Sequence, residues 1–270
     1  MTSRLTDWLA VQREFGEEWV LSLKPEELAS SLQKKSLDQP PATPPRPKEE
    51  SKPAPFPAAA RITERRSEPL VNVDLSDVTT LETLRERVMA FDGCALKKTA
   101  MHTVFADGNP QSHILFVGEA PGAEEDKQGL PFVGPSGQLL DKMMAAIGLS
   151  RESAYITNVV FWRPPGNRPP TPAEVAVCLP FLNKHLELVK PKILVLLGMT
   201  AMKALLKTPS SLAQARGVWH AYTPGEEQKP IPTRVTFHPS YLLRSPGQKA
   251  LAWFDLMTIR DALETGDFYG

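Results

Sequence analysis

After residue 75 the apolar positions fall into alternating blocks of two kinds. Short runs read as strands: His113 to Val117 ending at Gly118, Tyr155 to Val160, Ile193 to Leu197, and Arg234 to Phe237. Gly217 to Tyr222 reads as an extra strand. Between these lie stretches with helical spacing. Leu139, Leu140, Met143, Met144 and Ile147 mark a helix over Gly137 to Ile147. Thr80 to Phe91, Thr200 to Leu206 and Lys249 to Leu263 read as further helices. Thr171 and Pro172 supply an N-cap and a first-turn proline for a helix running to about Val189. Strands alternating with helices predict an α/β fold, a three-layer α/β/α sandwich around a parallel sheet covered on both faces.

The first third of the chain is patterned differently. Leu5, Trp8, Leu9, Phe15 and Trp19 recur at helical spacing and predict an amphipathic segment within residues 1–35. Its apolar face is expected to dock on the main domain or on a partner protein. Residues 36–72 follow, crowded with Pro40, Pro41, Pro44, Pro45, Pro47, Pro53, Pro55 and Pro57. Such a segment buries too little apolar surface to offset its ordering entropy, so it is expected to be an extended linker. A proline-motif ligand for a partner is the second reading. Residues 73–270 form the expected folded domain.

Composition narrows the class. Lys and Arg total 31 against 31 Asp and Glu, so any basic surface must be local. No apolar run approaches the roughly 18 residues that span a bilayer. Met1 to Asp7 lacks the pattern of a signal peptide, and a cytoplasmic protein without membrane contact is expected. Two cysteines, Cys94 and Cys178, make a disulfide framework implausible.

In open α/β sheets, ligands bind beyond the carboxyl ends of the strands. The strand exits read Gly118-Glu119-Ala120-Pro121-Gly122, Asn158-Val159-Val160-Phe161, Gly198-Met199-Thr200 and His238-Pro239-Ser240-Tyr241-Leu242-Leu243-Arg244. They offer a carboxylate, an amide and an imidazole. The first lacks the glycine patterns of a nucleotide phosphate loop, and its glycines also fit a plain turn. Asn158 carries a donor and an acceptor suited to a pyrimidine edge, or it ties down the following loop. Phe132 is a stacking surface for a base or a core residue. His238 is a catalytic candidate by position, or structural. Arg163, Arg168, Arg244 and Lys249 are candidates for a phosphate-binding rim. Leu242 and Leu243 are candidates for an apolar wedge between bases, or lie buried beneath their loop.

Taken in order, these motifs resemble the uracil-DNA glycosylase superfamily, specifically its family 4 branch. The match runs from about Cys94 to Phe254. It includes Val104-Phe105 with Gly108-Asn109-Pro110, the Gly118 to Gly122 motif with Glu124-Glu125-Asp126, and Gly129 to Gly134. Ile156 to Val160, Arg163 to Arg168 and His238 to Arg244 complete it. The resemblance implies a central four-stranded parallel sheet of order 2-1-3-4. It implies uracil-containing DNA as substrate, with the nucleotide flipped into a pocket. Gly118, Ala120, Pro121, Gly122, Phe132 and Asn158 are then the expected uracil-binding set. Phe132 stacks on the base and Asn158 reads its edge. His238, with backbone amides near Glu119 to Gly122, stabilises charge on the departing base. Glu119 is the first choice to position water, with Glu124 or Glu125 behind it. Arg163, Arg168, Ser240, Leu242, Leu243 and Arg244 are the expected DNA contacts, with Leu242 at the usual wedge position. The expected product is an abasic site without strand cleavage, made by a nucleoid-associated enzyme of bacterial type. A non-catalytic binder of uracil or abasic DNA, and a soluble nucleotide hydrolase, are the alternatives.

Two departures from the family pattern stand out. Members of family 4 typically hold a four-iron, four-sulfur cluster on four cysteines. Here Cys94 and Cys178 match the second and fourth ligands, but Phe91 and Trp162 occupy the first and third positions. The cluster is therefore expected to be absent, with no other metal required and apolar packing in its place. Family 1 carries a water-activating aspartate and a thymine-excluding tyrosine in its first motif; Ala120 and Gly122 stand there, as is usual in family 4.

Overall fold

The computed structural model describes residues 73–225 and 228–266. The amphipathic N-terminal segment and the proline-rich linker lie outside the described residues. Fourteen strands and α-helices follow among these residues. They are α1 (Leu81–Ala90), β1 (Ala106–Gly108), β2 (Ile114–Gly118), α2 (Ala123–Gln128), α3 (Pro135–Ala145), β3 (Tyr155–Asn158) and α4 (Pro172–Val189). Then come β4 (Ile193–Leu197), α5 (Met199–Leu206), α6 (Leu212–Ala215), β5 (Trp219–Tyr222), β6 (Ile231–Thr236), α7 (Pro239–Arg244) and α8 (Lys249–Thr265).

The sheet has six strands in the order β1-β3-β2-β4-β6-β5. Its four inner strands are parallel, and in chain order among themselves they run 2-1-3-4. This is the expected central four-stranded parallel sheet, and each edge adds one strand: β1 pairs antiparallel with β3, and β5, the extra strand read from the sequence, pairs antiparallel with β6. β1 is three residues long, Ala-Asp-Gly, and carries no apolar run to announce it. Every residue of β2 and β4 is buried, because helices cover both faces of the sheet. Leu115, Val117, Leu194, Leu196, Val235, Leu182 and Leu186 form one core cluster; Leu84, Val88, Phe161, Trp162 and Phe181 belong to another.

Local chemistry sets the helix boundaries. Thr171 caps α4 by accepting from the Glu174 N–H at 3.2 Å, while the Glu174 carboxylate accepts from the Thr171 N–H at 2.7 Å. Lys190, at φ 51°, ends that helix in the left-handed conformation. The stretch after β6 is a helix rather than a polar loop: His238 caps it and Pro239 takes its first position. No helix among the described residues is long and apolar enough to cross a membrane.

Candidate active site

Strand β3 lies to one side of β2 and β4 to the other, so the chain reverses its direction of progress at β2. A cleft of about 690 Å³ opens at these strand ends. It is walled by Glu119 to Gly122, Phe132, Asn158, Gly198, Met199, His238, Ser240, Tyr241, Arg168 and Arg244, among others.

Register builds its floor. Gly118 of β2 pairs directly with Asn158 of β3. A Cβ on Gly118 would meet the Asn158 Oδ1 at 2.4 Å and the Phe132 ring at 2.5 Å, so glycine lets amide and ring converge there. Asn158 is 1% exposed, and its Oδ1 has no hydrogen-bond partner. A buried unpaired carbonyl oxygen costs about 1–3 kcal/mol, which an arriving donor removes.

Phe132 is buried at φ 55°, a strained backbone for a bulky residue. What holds it there is Arg151, which sequence reasoning missed. Its guanidinium donates to the Phe132 carbonyl and, at 3.2 Å, to that of Pro131. Asp107 and Asp141 in turn bind the guanidinium. Gly137 packs so tightly under this turn that a Cβ would fall 1.6 Å from the Phe132 oxygen.

His238 leaves β6 and caps α7. Its Nδ1 accepts from the Ser240 N–H at 3.1 Å and lies 2.8 Å from the Ser240 hydroxyl. With Nδ1 accepting, the proton of the neutral ring resides on Nε2. Burial, reinforced by the Arg244 charge, pushes the imidazole down to about 4, so it is neutral at physiological pH. Its ring centroid lies 5.6 Å from that of Phe132.

The acidic stretch resolves into distinct jobs. Glu119 lines the cleft and accepts a hydrogen bond from Thr200, which the sequence marked only by its place at a strand exit. Glu125 is buried: it accepts from Gly122, Val133 and Gly134 N–H groups at 3.1, 3.0 and 2.9 Å, tying the first motif to the Phe132 loop. The Gly122 amide, expected to face uracil, is thus engaged by Glu125. Pro121 has no N–H to offer. Asp126, also buried, accepts from Met101 and His102 N–H at 2.8 and 3.2 Å. Glu124 is half-exposed and pairs with Lys127 at 2.8 Å.

The expected DNA contacts divide. Arg244, Ser240 and Arg168 line the cleft; Arg163 and Leu243 do not. Arg168 makes a forked ion pair with Glu174 at 2.8 and 2.6 Å, holding that carboxyl down at about 2. Arg163 donates to Asn167 at 2.8 Å. Leu242, the expected wedge, is corrected: it is 1% exposed, because α7 packs on α3 and turns this residue into the core.

The positions that match cluster ligands in family 4 also come together. Cys94, Trp162 and Cys178 sit in one apolar cluster, with Phe91 packed against it. The Phe91 ring meets Phe181 edge-on at 4.9 Å, and the Trp162 indole N–H donates to Thr103 at 3.0 Å. The Cys178 thiol donates to Cys94 and holds it below the usual thiol range, while that same hydrogen bond, with burial behind it, pushes Cys178 up. Two thiols with a phenyl ring and an indole do not fit a four-iron cluster, since the rings offer iron no ligand.

A family model for the uracil DNA glycosylase superfamily matches residues 105–258. A type-4 uracil-DNA glycosylase of Sulfurisphaera tokodaii is 37% identical over 195 residues, covering 70% of this chain and 88% of its own length. That of Thermotoga maritima is 43% identical over 166 residues, covering 61% and 84%. A type-5 enzyme of Pyrobaculum aerophilum is 31% identical over 176 residues, covering 59% and 75%. Matched over more than half its length by that family model, the chain belongs to the uracil-DNA glycosylase superfamily and is family 4-like within it.

Proposed function

We propose that this protein is a DNA repair glycosylase that hydrolyses the bond between uracil N1 and deoxyribose C1′ in DNA, leaving an abasic site. The observation that carries this reading is the unpaired, buried Asn158 Oδ1, set beside the Phe132 ring and a neutral His238. Uracil offers an N3–H donor next to an O4 acceptor, the complement of a side-chain amide. Flipped into the cleft, it meets Phe132, and Asn158 reads that edge.

Breaking the bond sends its electron pair to uracil N1 and leaves positive charge on the sugar. A neutral imidazole with its proton on Nε2 donates to a uracil oxygen as negative charge grows there, and gives up no proton in doing so. Glu119, oriented by Thr200, positions the water whose oxygen bonds to C1′. The water's proton leaves to solvent or to the departing uracil, so the products are uracil and a free sugar hemiacetal. Among the described residues no lysine lines the cleft to form a Schiff base with it, so we assign a monofunctional reaction. Arg244 and Arg168 take DNA phosphates, Arg168 through the part of its guanidinium left exposed beside its forked pair with Glu174. The enzyme works without an iron–sulfur cluster, and we place it in the cytoplasm with the DNA it repairs.

The test is incubation of pure protein with oligonucleotides carrying one uracil, followed by alkali. Cleavage at the uracil position is expected. Binding of uracil DNA without release supports a non-catalytic relative, and hydrolysis of single nucleotides without a DNA requirement supports a nucleotide hydrolase.

A further inference from the structure

We infer that Tyr241, rather than either neighbouring leucine, is the side chain that fills the gap left in the base stack when a nucleotide flips out of a duplex. This rests on the proposed action on DNA. Three apolar side chains stand in a row on α7, and the helix sends them three ways. Leu242 is 1% exposed and belongs to the core. Leu243 is exposed but does not line the cleft. Tyr241 is 37% exposed and does line it, together with Arg244 three residues on, which shares its helix face.

The Tyr241 ring is held in place before any ligand arrives. It stacks on Phe237 with centroids 5.2 Å apart and an interplanar angle of 24°. The Arg216 guanidinium lies 4.4 Å from the centroid of the same Phe237 ring. Arg216 is anchored by the buried Asp255 carboxylate, with Nε at 2.9 Å, and by the Leu251 carbonyl at 2.7 Å. Asp255 also accepts from Thr236 at 2.7 Å, at the end of β6. This network fixes an aromatic plane at the mouth of the cleft with a cation, Arg244, beside it.

A vacated position in a duplex exposes the flat faces of the neighbouring bases. A tyrosine ring covers such a face and stacks on any base without reading its identity. A ring already immobilised loses little rotamer freedom on contact. The adjacent arginine serves a backbone phosphate. A single strand has no closed stack to refill, so the contribution of Tyr241 is specific to duplex substrates.

Single-turnover uracil release is measured for Tyr241→Ala, Tyr241→Leu, Tyr241→Phe and Leu243→Ala, on a duplex and on the same strand alone. Affinity for a duplex with a tetrahydrofuran abasic analogue is measured beside that for an intact duplex. Tyr241→Ala is expected to lose about tenfold or more on the duplex and little on the single strand. Tyr241→Leu keeps apolar bulk over Phe237 and supplies an aliphatic wedge, so it is expected to lose less on the duplex than Tyr241→Ala, while the retained single-strand rate of each variant reports that it has folded. Tyr241→Phe retains the wild-type rate, and Leu243→Ala changes neither substrate. Equal losses on both substrates would show a structural role and overturn the inference. So would an unaffected Tyr241→Ala, or a duplex-specific loss in Leu243→Ala. Should the wild type release uracil from neither substrate, the glycosylase reading fails on its own. The inference is then decided by whether a wild-type preference for the abasic duplex exists and disappears in Tyr241→Ala.

Discussion

Two regions of this domain stand where the family resemblance expects polar chemistry, and they have been built in opposite ways. The cleft at the strand exits keeps its groups available: Asn158 is buried with an unpaired oxygen, and His238 is half-buried and neutral. The region around Phe91, Cys94, Trp162 and Cys178 is closed, with two of its four positions filled by aromatic rings. The first region tolerates an unfavourable apo state because a ligand relieves it. The second is filled by apolar side chains packed against one another, and its indole donor is satisfied within the protein. The Trp162 N–H accordingly finds Thr103.

Mutations separate the two regions by what they damage. The largest effect is expected from Trp162→Ala, which empties the space of a fully buried indole. A loss of about 3–5 kcal/mol in urea unfolding is expected, with the single-turnover rate of the folded fraction unchanged. A matching fall in that rate would mean the packed region reaches the chemistry. Next is His238→Ala, expected to slow uracil release about 100–1000-fold while affinity for abasic DNA stays near wild type. Parallel loss of affinity and rate would move His238 from chemistry to binding.

Asn158→Ala is expected to slow release about 10–100-fold through loss of one or two buried hydrogen bonds. Because it removes an unpaired buried oxygen, it should leave thermal stability unchanged or raised. Destabilisation would show that the amide supports the loop instead.

A pH series gives a smaller, continuous effect. His238 is held at about 4 against an ordinary 6.5, so the folded state resists binding a proton that the unfolded state takes up. Stability from this group is therefore complete above about 6.5 and declines as pH falls towards about 4. The release rate should hold over the same range and drop only near the lower value, where protonation of Nδ1 breaks its bond from Ser240. An NMR titration of the ring checks this directly: a midpoint near 6.5 would overturn the stability prediction, and one above about 7.5 would remove the neutral donor from the mechanism.

The smallest effect is expected from replacing both Cys94 and Cys178 by Ala, which should leave the release rate within about twofold of wild type. Purified protein should show no broad iron–sulfur absorption near roughly 400 nm. A brown protein that loses activity on cysteine replacement would reverse the contrast between the two regions.

Much of the framework was legible from local pattern. The inner strands and long helices announce themselves by unbroken apolar runs and by helical spacing, and α4 by Thr171 and Pro172. β1 was not legible, since Ala106–Gly108 has no periodicity and exists only by pairing with β3. The segment from Pro239 to Arg244 carries turn-like residues and reads as a loop. As a helix it buries Leu242 and brings Tyr241 to the cleft. Arg151 gave no signal, and Thr200 was marked only by its place at a strand exit, because what each does depends on a partner about 20 or 81 positions away.

By itself the sequence determined the α/β class, the order of its inner elements, the strand ends where polar groups collect, and the shortage of cysteines for a cluster. The first three follow from periodicity and residue type, which act over a few positions and need no partner; the last follows from the resemblance to family 4. The tertiary structure alone decided which polar groups remain unpaired and which are committed. Glu125 is spent on three backbone amides while Asn158 keeps an oxygen free, although both are buried polar residues. Hydrogen-bond satisfaction and exposure are properties of neighbours brought from distant segments, so they exist only once the sheet and its covering helices have assembled.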